Sequence, residues 1–275
     1  MFDLSINLSP IKSPFSPLLF SGNLEEGFKN AARLGYSGVD LSLLDSAALD
    51  QDCIIGKAQS CKLKIYTIAT GQTYYNDGYS LYSAENDKRE MAVARIISHI
   101  DFASRLGAMV IIGGVRGKIT ASDEHERFSQ EQNGRQAICQ CLKHAEDKGV
   151  TLLLEPINRY ETNIINTLQE GVSFIEEVGS DNLMLLPDVF HMNIEERSIE
   201  ESIIQYKSHI GFVHFADSNR QAPGLGHVDF KKILSALTEI GYDNAIGMEI
   251  IPKPDDLSAA VQAINYLKEL EEKTD

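Results

Sequence analysis

Leu152–Asn163 reads LLLEPINRYETN: three leucines, then carboxylate, proline, amide, guanidinium, phenol and a second carboxylate. An unbroken apolar run with no alternation suits a strand buried on both faces, as in a parallel sheet covered by helices. The polar groups that follow at once mark the end of that strand as a place where chemistry gathers.

Seven other runs share its character: DLSINLS, GVDLSL, KIYTIAT, AMVIIGG, LMLLPD, GFVHFA and AIGMEI. Between the runs, apolar residues recur at helical spacing, as in Leu168, Val172, Ile175 and Val178, or Phe230, Ile233, Leu237 and Ile240. Asn23 with Glu26, Thr167 with Glu170 and Ser198 with Glu201 have capping-box spacing. Gly35, Gly107, Gly149, Gly179 and Gly241 stand where helices should stop, since a left-handed residue is cheapest as glycine. Eight strand-helix units in 275 residues predict a closed parallel (β/α)8 barrel forming one domain over residues 1–275. An open dinucleotide-binding sheet would show a glycine fingerprint after its first strand; here that loop is SPIKSPFSP.

The chain carries 25 basic and 40 acidic residues, a formal charge of −15, which disfavours a nucleic-acid partner. No apolar run reaches the roughly 18 residues of a membrane span, and the start MFDLSINLSP lacks the pattern of a secretory signal. A cytoplasmic protein is therefore expected. Cys53, Cys61, Cys139 and Cys141 fit neither zinc spacing nor a disulfide scaffold and are expected as ordinary thiols.

Catalytic groups of a parallel barrel sit at the carboxyl ends of its strands. From the fifth strand on, those positions read Glu155, Asp188, His214 and Glu249. Three carboxylates facing one mouth would raise one another's pKa, and a divalent cation removes the repulsion. One imidazole with three carboxylates suits Mn²⁺ first, then Mg²⁺ or Co²⁺.

At these residues the sequence resembles the xylose isomerase-like barrels, and within them the D-tagatose 3-epimerase group, through EPINRYE, DVFHMNIEE, HFADSNRQAPGLGH and the closing MEI. The resemblance implies the same four metal ligands. It also implies that His191 and Arg220 contact substrate oxygens and that Glu161 hydrogen-bonds within the site. The group's pattern is broken at Pro187 and Val189, beside the Asp188 ligand.

Epimerisation beside a ketone removes a weakly acidic C–H proton and returns one to the opposite face, which two carboxylates on opposite sides can do. Glu155 and Glu249, three units apart around the mouth, are the expected acid/base pair. GGVRGK after the fourth strand offers Arg116 as an anion binder, and TGQTYYNDGYSL offers Tyr74, with Tyr75, as pocket wall. Both segments look most like the branch that epimerises keto-sugar acids such as 5-keto-L-gluconate, with Arg116 on the carboxylate.

A sugar-acid substrate is thus the first expectation and a neutral ketohexose, as in the D-tagatose or D-psicose 3-epimerases, the alternative. An aldose-ketose or hydroxypyruvate isomerase would use the same residues, and an inosose dehydratase shares the scaffold. A repair endonuclease of this fold should show more histidine ligands and a basic face, and a barrel that binds without turnover is the non-catalytic rival. The resemblance further implies a homo-oligomer.

Overall fold

Each of the eight apolar runs forms a strand in the computed structural model, which describes residues 2–12 and 17–272. They are β1 (Leu4–Leu8), β2 (Gly38–Ser42), β3 (Lys64–Ala69), β4 (Met109–Ile112), β5 (Leu152–Leu154), β6 (Leu183–Leu185), β7 (Val213–Phe215) and β8 (Ile246–Met248). All pairings are parallel, in the order β6-β5-β4-β3-β2-β1-β8-β7. The two outer strands meet through isolated bridges, Leu185 with Ile210 and Asp188 with His214, so the sheet curls into the expected barrel.

Strand alternation sorts the core into two layers. One set of strand side chains, including Ile6, Val110, Leu152, Leu154 and Phe215, packs in the large core with helix residues such as Phe28, Phe102 and Phe230. The opposite set, Tyr66, Ile111, Leu153 and Phe212 among them, forms a small separate cluster that fills the barrel axis. Above that plug the inward positions turn polar, with Ser5, Asn7, Asp40, Thr67 and His214 all fully buried or nearly so.

Several helices begin or end where the sequence predicts, for reasons visible at their caps. They are α1 (Leu24–Leu34), α2 (Gln51–Ser60), α3 (Gly71–Tyr75), α4 (Asn86–Leu106), α5 (Glu124–Lys148), α6 (Leu168–Val178), α7 (Val189–Glu195), α8 (Ile199–Gln205), α9 (Phe230–Glu239) and α10 (Asp256–Glu272). Thr167 and Glu170 form a complete capping box on α6. Gly35, Gly107, Gly149 and Gly179 cap their helices in the left-handed conformation. Gly241 is one position off: α9 is capped by Ile240, and the glycine follows with φ 68°.

The tyrosine-bearing segment after β3, which shows no helical period, contains the short helix α3. Of the proline-rich loop, residues 13–16 lie outside the described residues. The four cysteines are free thiols, and among the described residues no helix is long and apolar enough to cross a membrane.

Candidate active site

The strands place the four candidate ligands in three different ways. Glu155 and Glu249 directly follow β5 and β8, while His214 lies inside β7 and points to the axis. Asp188 stands three residues beyond β6 as the cap of α7, its Oδ1 accepting from the Phe190 amide at 2.8 Å, which leaves Oδ2 for the site. One ligand atom from each of the four residues falls within 4.8 Å of the others, and all four residues are buried.

Their electrostatics are those of an incomplete charge set. Burial, and then the charges of Glu249 and Asp188, push the Glu155 carboxyl well above the usual carboxylate range. Burial raises Asp188 to about 7 against the pull of Arg220, with Glu249 adding to the rise. Both ring nitrogens of His214 are buried without a hydrogen-bond partner, a costly state for an imidazole. A divalent cation offsets the carboxylate repulsion and gives that imidazole a partner, so the residues fit such an ion. With three oxygen donors, one nitrogen donor and no thiolate, the set suits a hard or borderline metal.

Around these four sits a layer of oriented polar groups. Arg220 donates to Glu249 Oε2 and, at 3.4 Å, to Asp188 Oδ2. It lies over the Phe190 ring at 4.5 Å and holds a left-handed backbone, φ 59°, rare for a side-chain-bearing residue and concentrated at functional sites. Asn7 donates to Glu249 Oε1 at 3.3 Å. His191, one helical turn after Asp188, has Nε2 3.9 Å from Glu155 and 3.8 Å from Asp188. Burial and the nearby arginines hold its pKa well below the usual value, so its imidazole is neutral.

The Asn158 amide lies 2.7 Å from His191 Nδ1 and donates to Glu161 at 2.9 Å, while its Oδ1 accepts from the Tyr160 amide. Tyr75 hydroxyl donates to the same Glu161 at 3.3 Å. Glu155, Glu161, His191, Arg220 and Glu249 line one pocket at the carboxyl ends of the strands, walled by Tyr75, Ile111, Ile157 and the backbone of Gly113 and Gly114.

Two expectations about this pocket are corrected. Arg116 does not reach it: the guanidinium is 1% exposed and donates to the carbonyls of Gly113, Ile164, Ile165 and Glu155. Its donors bind the β4 loop to the β5 loop, leaving none directed at a substrate carboxylate. Tyr74 stacks beside Tyr75 at 5.3 Å, near Gly117, and it is Tyr75 that faces the pocket.

Three contributors escape sequence reading. The Glu155 carboxylate occupies the space a Cβ on Gly113 would take, and the Tyr75 ring crowds the same position on Gly114. These glycines admit side chains rather than cradle an anion. Asn158, in the polar run after β5, links His191 to Glu161.

The family model described as xylose isomerase-like TIM barrel matches residues 28–270. The chain belongs to this family. An L-ribulose 3-epimerase from Mesorhizobium japonicum is 31% identical over 82% of this chain and 75% of its own length. A 3-dehydro-D-guloside 4-epimerase from Escherichia coli is 23% identical over 84% of this chain and 88% of its own length. Among solved structures, a D-allulose 3-epimerase from Methylomonas sp. superposes with a TM-score of 0.80 at 26% identity, over 98% of this chain and 99% of that one. Relatives spanning most of this xylose isomerase-like barrel are thus named epimerases, enzymes of the isomerase class.

Proposed function

We propose that this protein is a metal-dependent ketose 3-epimerase acting on a neutral keto-sugar. The observation that carries the reading is the pocket itself: two glutamates, Glu155 and Glu249, stand at strand ends, line the pocket and belong to a four-residue cluster able to hold a divalent ion. The named 3-epimerases among the relatives support the reaction.

In this reading Glu155, Asp188, His214 and Glu249 hold the ion, Mn²⁺ by preference. A bound divalent cation supplies Lewis-acid stabilisation for negative charge developing on the substrate oxygens. One glutamate takes the proton from the carbon beside the ketone, and the other delivers a proton to the opposite face of the resulting enediolate. Burial and the charges of Glu249 and Asp188 raise the Glu155 carboxyl, a direction that suits a group carrying a proton.

His191 presents a neutral ring. The Asn158 amide nitrogen lies 2.7 Å from Nδ1 and Arg220 Nη1 lies 3.2 Å from Nε2, so the ring is held between these two groups at the edge of the pocket. Arg220 steadies Glu249 and Asp188 and adds a fixed positive charge where the enediolate forms. Tyr75, whose phenol is kept protonated by burial, and Glu161 form a hydroxyl-recognising wall.

A neutral substrate is favoured over a keto-acid because the cationic side chain expected to bind a carboxylate, Arg116, is consumed by backbone carbonyls. Among the described residues lining the pocket, Arg220 is the one guanidinium or ammonium, and it is bound to Glu249 and Asp188.

The test is proton NMR in D₂O with Mn²⁺-loaded enzyme on L-ribulose, D-fructose, D-tagatose and 5-keto-L-gluconate, the metal being removed before recording. Deuterium at C3 with the C3 epimer as product supports the reading. Faster turnover of the acid restores the keto-acid reading, label at C4 moves the reaction to a 4-epimerase, and an aldose product makes the enzyme an isomerase.

A further inference from the structure

Below the four candidate ligands lies a charge that the proposed reaction leaves without a role. Asp40, on β2, is wholly buried inside the barrel. Its register against β3 shifts between Val39 and Asp40, an irregularity of the kind that re-aims a side chain. Ser5 donates to its Oδ2 at 2.5 Å and Thr67 to its Oδ1 at 2.7 Å.

The route from Asp40 to His214 runs over a glycine. Gly247 pairs in register with Ser5 on one side and with His214 on the other. A Cβ at Gly247 would lie 2.6 Å from Asp40 Oδ2 and 2.8 Å from His214 Cδ2. The missing side chain leaves one space bordered by the carboxylate and by the imidazole edge, and in this structure Nε2 is not hydrogen-bonded across it. Cδ2 adjoins Nε2, so Nε2 is on the Asp40 side, whereas Nδ1 faces Glu249 at 3.9 Å. The edge of the Phe212 ring fixes the imidazole plane, with centroids 5.7 Å apart at 83°.

We propose that Asp40 is a positioning residue for the metal: it takes the Nε2–H of His214, fixes the tautomer with Nδ1 as the free lone pair, and so presents that nitrogen to a divalent cation. This rests on His214 being a ligand, as read above. A histidine ligand commonly donates its second ring N–H to a carboxylate, and loss of such a partner weakens metal binding by about 10–100-fold. The rival is a plain structural role, in which Asp40 only satisfies Ser5 and Thr67.

The experiment measures Mn²⁺ affinity by isothermal titration in the full-length protein, Asp40→Asn, Thr67→Val and His214→Asn. Alongside it, ¹⁵N NMR reads the His214 tautomer in unsubstituted protein, both metal-free and Mg²⁺-loaded, with His214→Asn assigning the signal. Expected are an affinity about 10–100-fold weaker in Asp40→Asn, near-normal affinity in Thr67→Val, and a proton on Nε2. Unchanged affinity in folded Asp40→Asn, or a proton on Nδ1, overturns the proposal while leaving the metal site standing. No Mn²⁺ binding by the unsubstituted protein removes the metal reading and this proposal together. If Asp40→Asn does not fold, the tautomer in the unsubstituted protein decides alone.

Discussion

The two halves of the barrel are built differently. Strands β1 to β4 run for four to six residues each, whereas β5 to β8 stop after three. All four candidate ligands belong to the short-stranded half, and the long-stranded half contributes support instead: Asn7 to Glu249, Gly113 to Glu155. A ladder that ends early frees its next residues from the in-out alternation of a strand, so they can turn toward a common point. Regularity in one half holds the frame in which the other half departs from it.

That contrast breaks first at the glutamates. Glu155→Gln or Glu249→Gln should lower kcat by at least about 10³-fold, since each removes a ligand charge and a proton carrier together. Solvent-deuterium exchange into the ketose reads the loss, and a rate within tenfold of normal in either variant would end the two-glutamate mechanism. A smaller but sharper break comes from the supporting half. Gly113→Ala has to displace the Glu155 carboxylate, and the misplacement should cost about 10²-fold in kcat with the Mn²⁺ site still filling. Steady-state kinetics beside metal titration separate these effects.

Arg116 joins the halves, so its removal should register as lost stability rather than altered specificity. Arg116→Ala strands several buried carbonyls and should destabilise by about 3 kcal/mol in urea unfolding, with acidic and neutral substrates affected alike. A selective loss on the acidic sugar would return it to the substrate.

The gentlest probe is pH. Glu155 and Asp188 have folded-state pKa values raised above those of the unfolded chain, so the folded metal-free protein binds the extra protons. Their contribution to stability is complete below the unfolded carboxylate pKa and disappears as pH rises through the folded value, about 7 for Asp188. The buried histidines His99, His191 and His214, with lowered pKa values, act in the opposite direction, so the carboxyl contribution is read as a difference. Calorimetry of chelated protein should show Tm falling by about 5 °C relative to Asp188→Asn between roughly pH 5 and pH 8. Mn²⁺ should flatten the difference, and a difference that climbs over this range would contradict it.

The strands were legible because burial on both faces leaves unbroken apolar runs, and three of the candidate ligands because a carboxylate closing such a run is conspicuous. His214 was legible in kind but lies within its strand, not at its end. What stayed hidden depends on direction. Tyr74 and Tyr75 share one turn of α3, and a rotation of about 100° per residue decides which faces the pocket. Arg116 reads as a free cation until the carbonyls of Ile164 and Glu155 are brought beside it. The shared space over Gly247 involves three strands far apart in the chain, and no local pattern records it.

Asp188 and His191 occupy a single turn of α7, one as its cap and the other three residues on. Parts mounted on separate supports accumulate the alignment error of each, while parts cut from one piece carry only its own. The spacing between a candidate ligand and the imidazole at the edge of the pocket is set by one helical turn, so thermal wandering of the surrounding loops moves both as a unit.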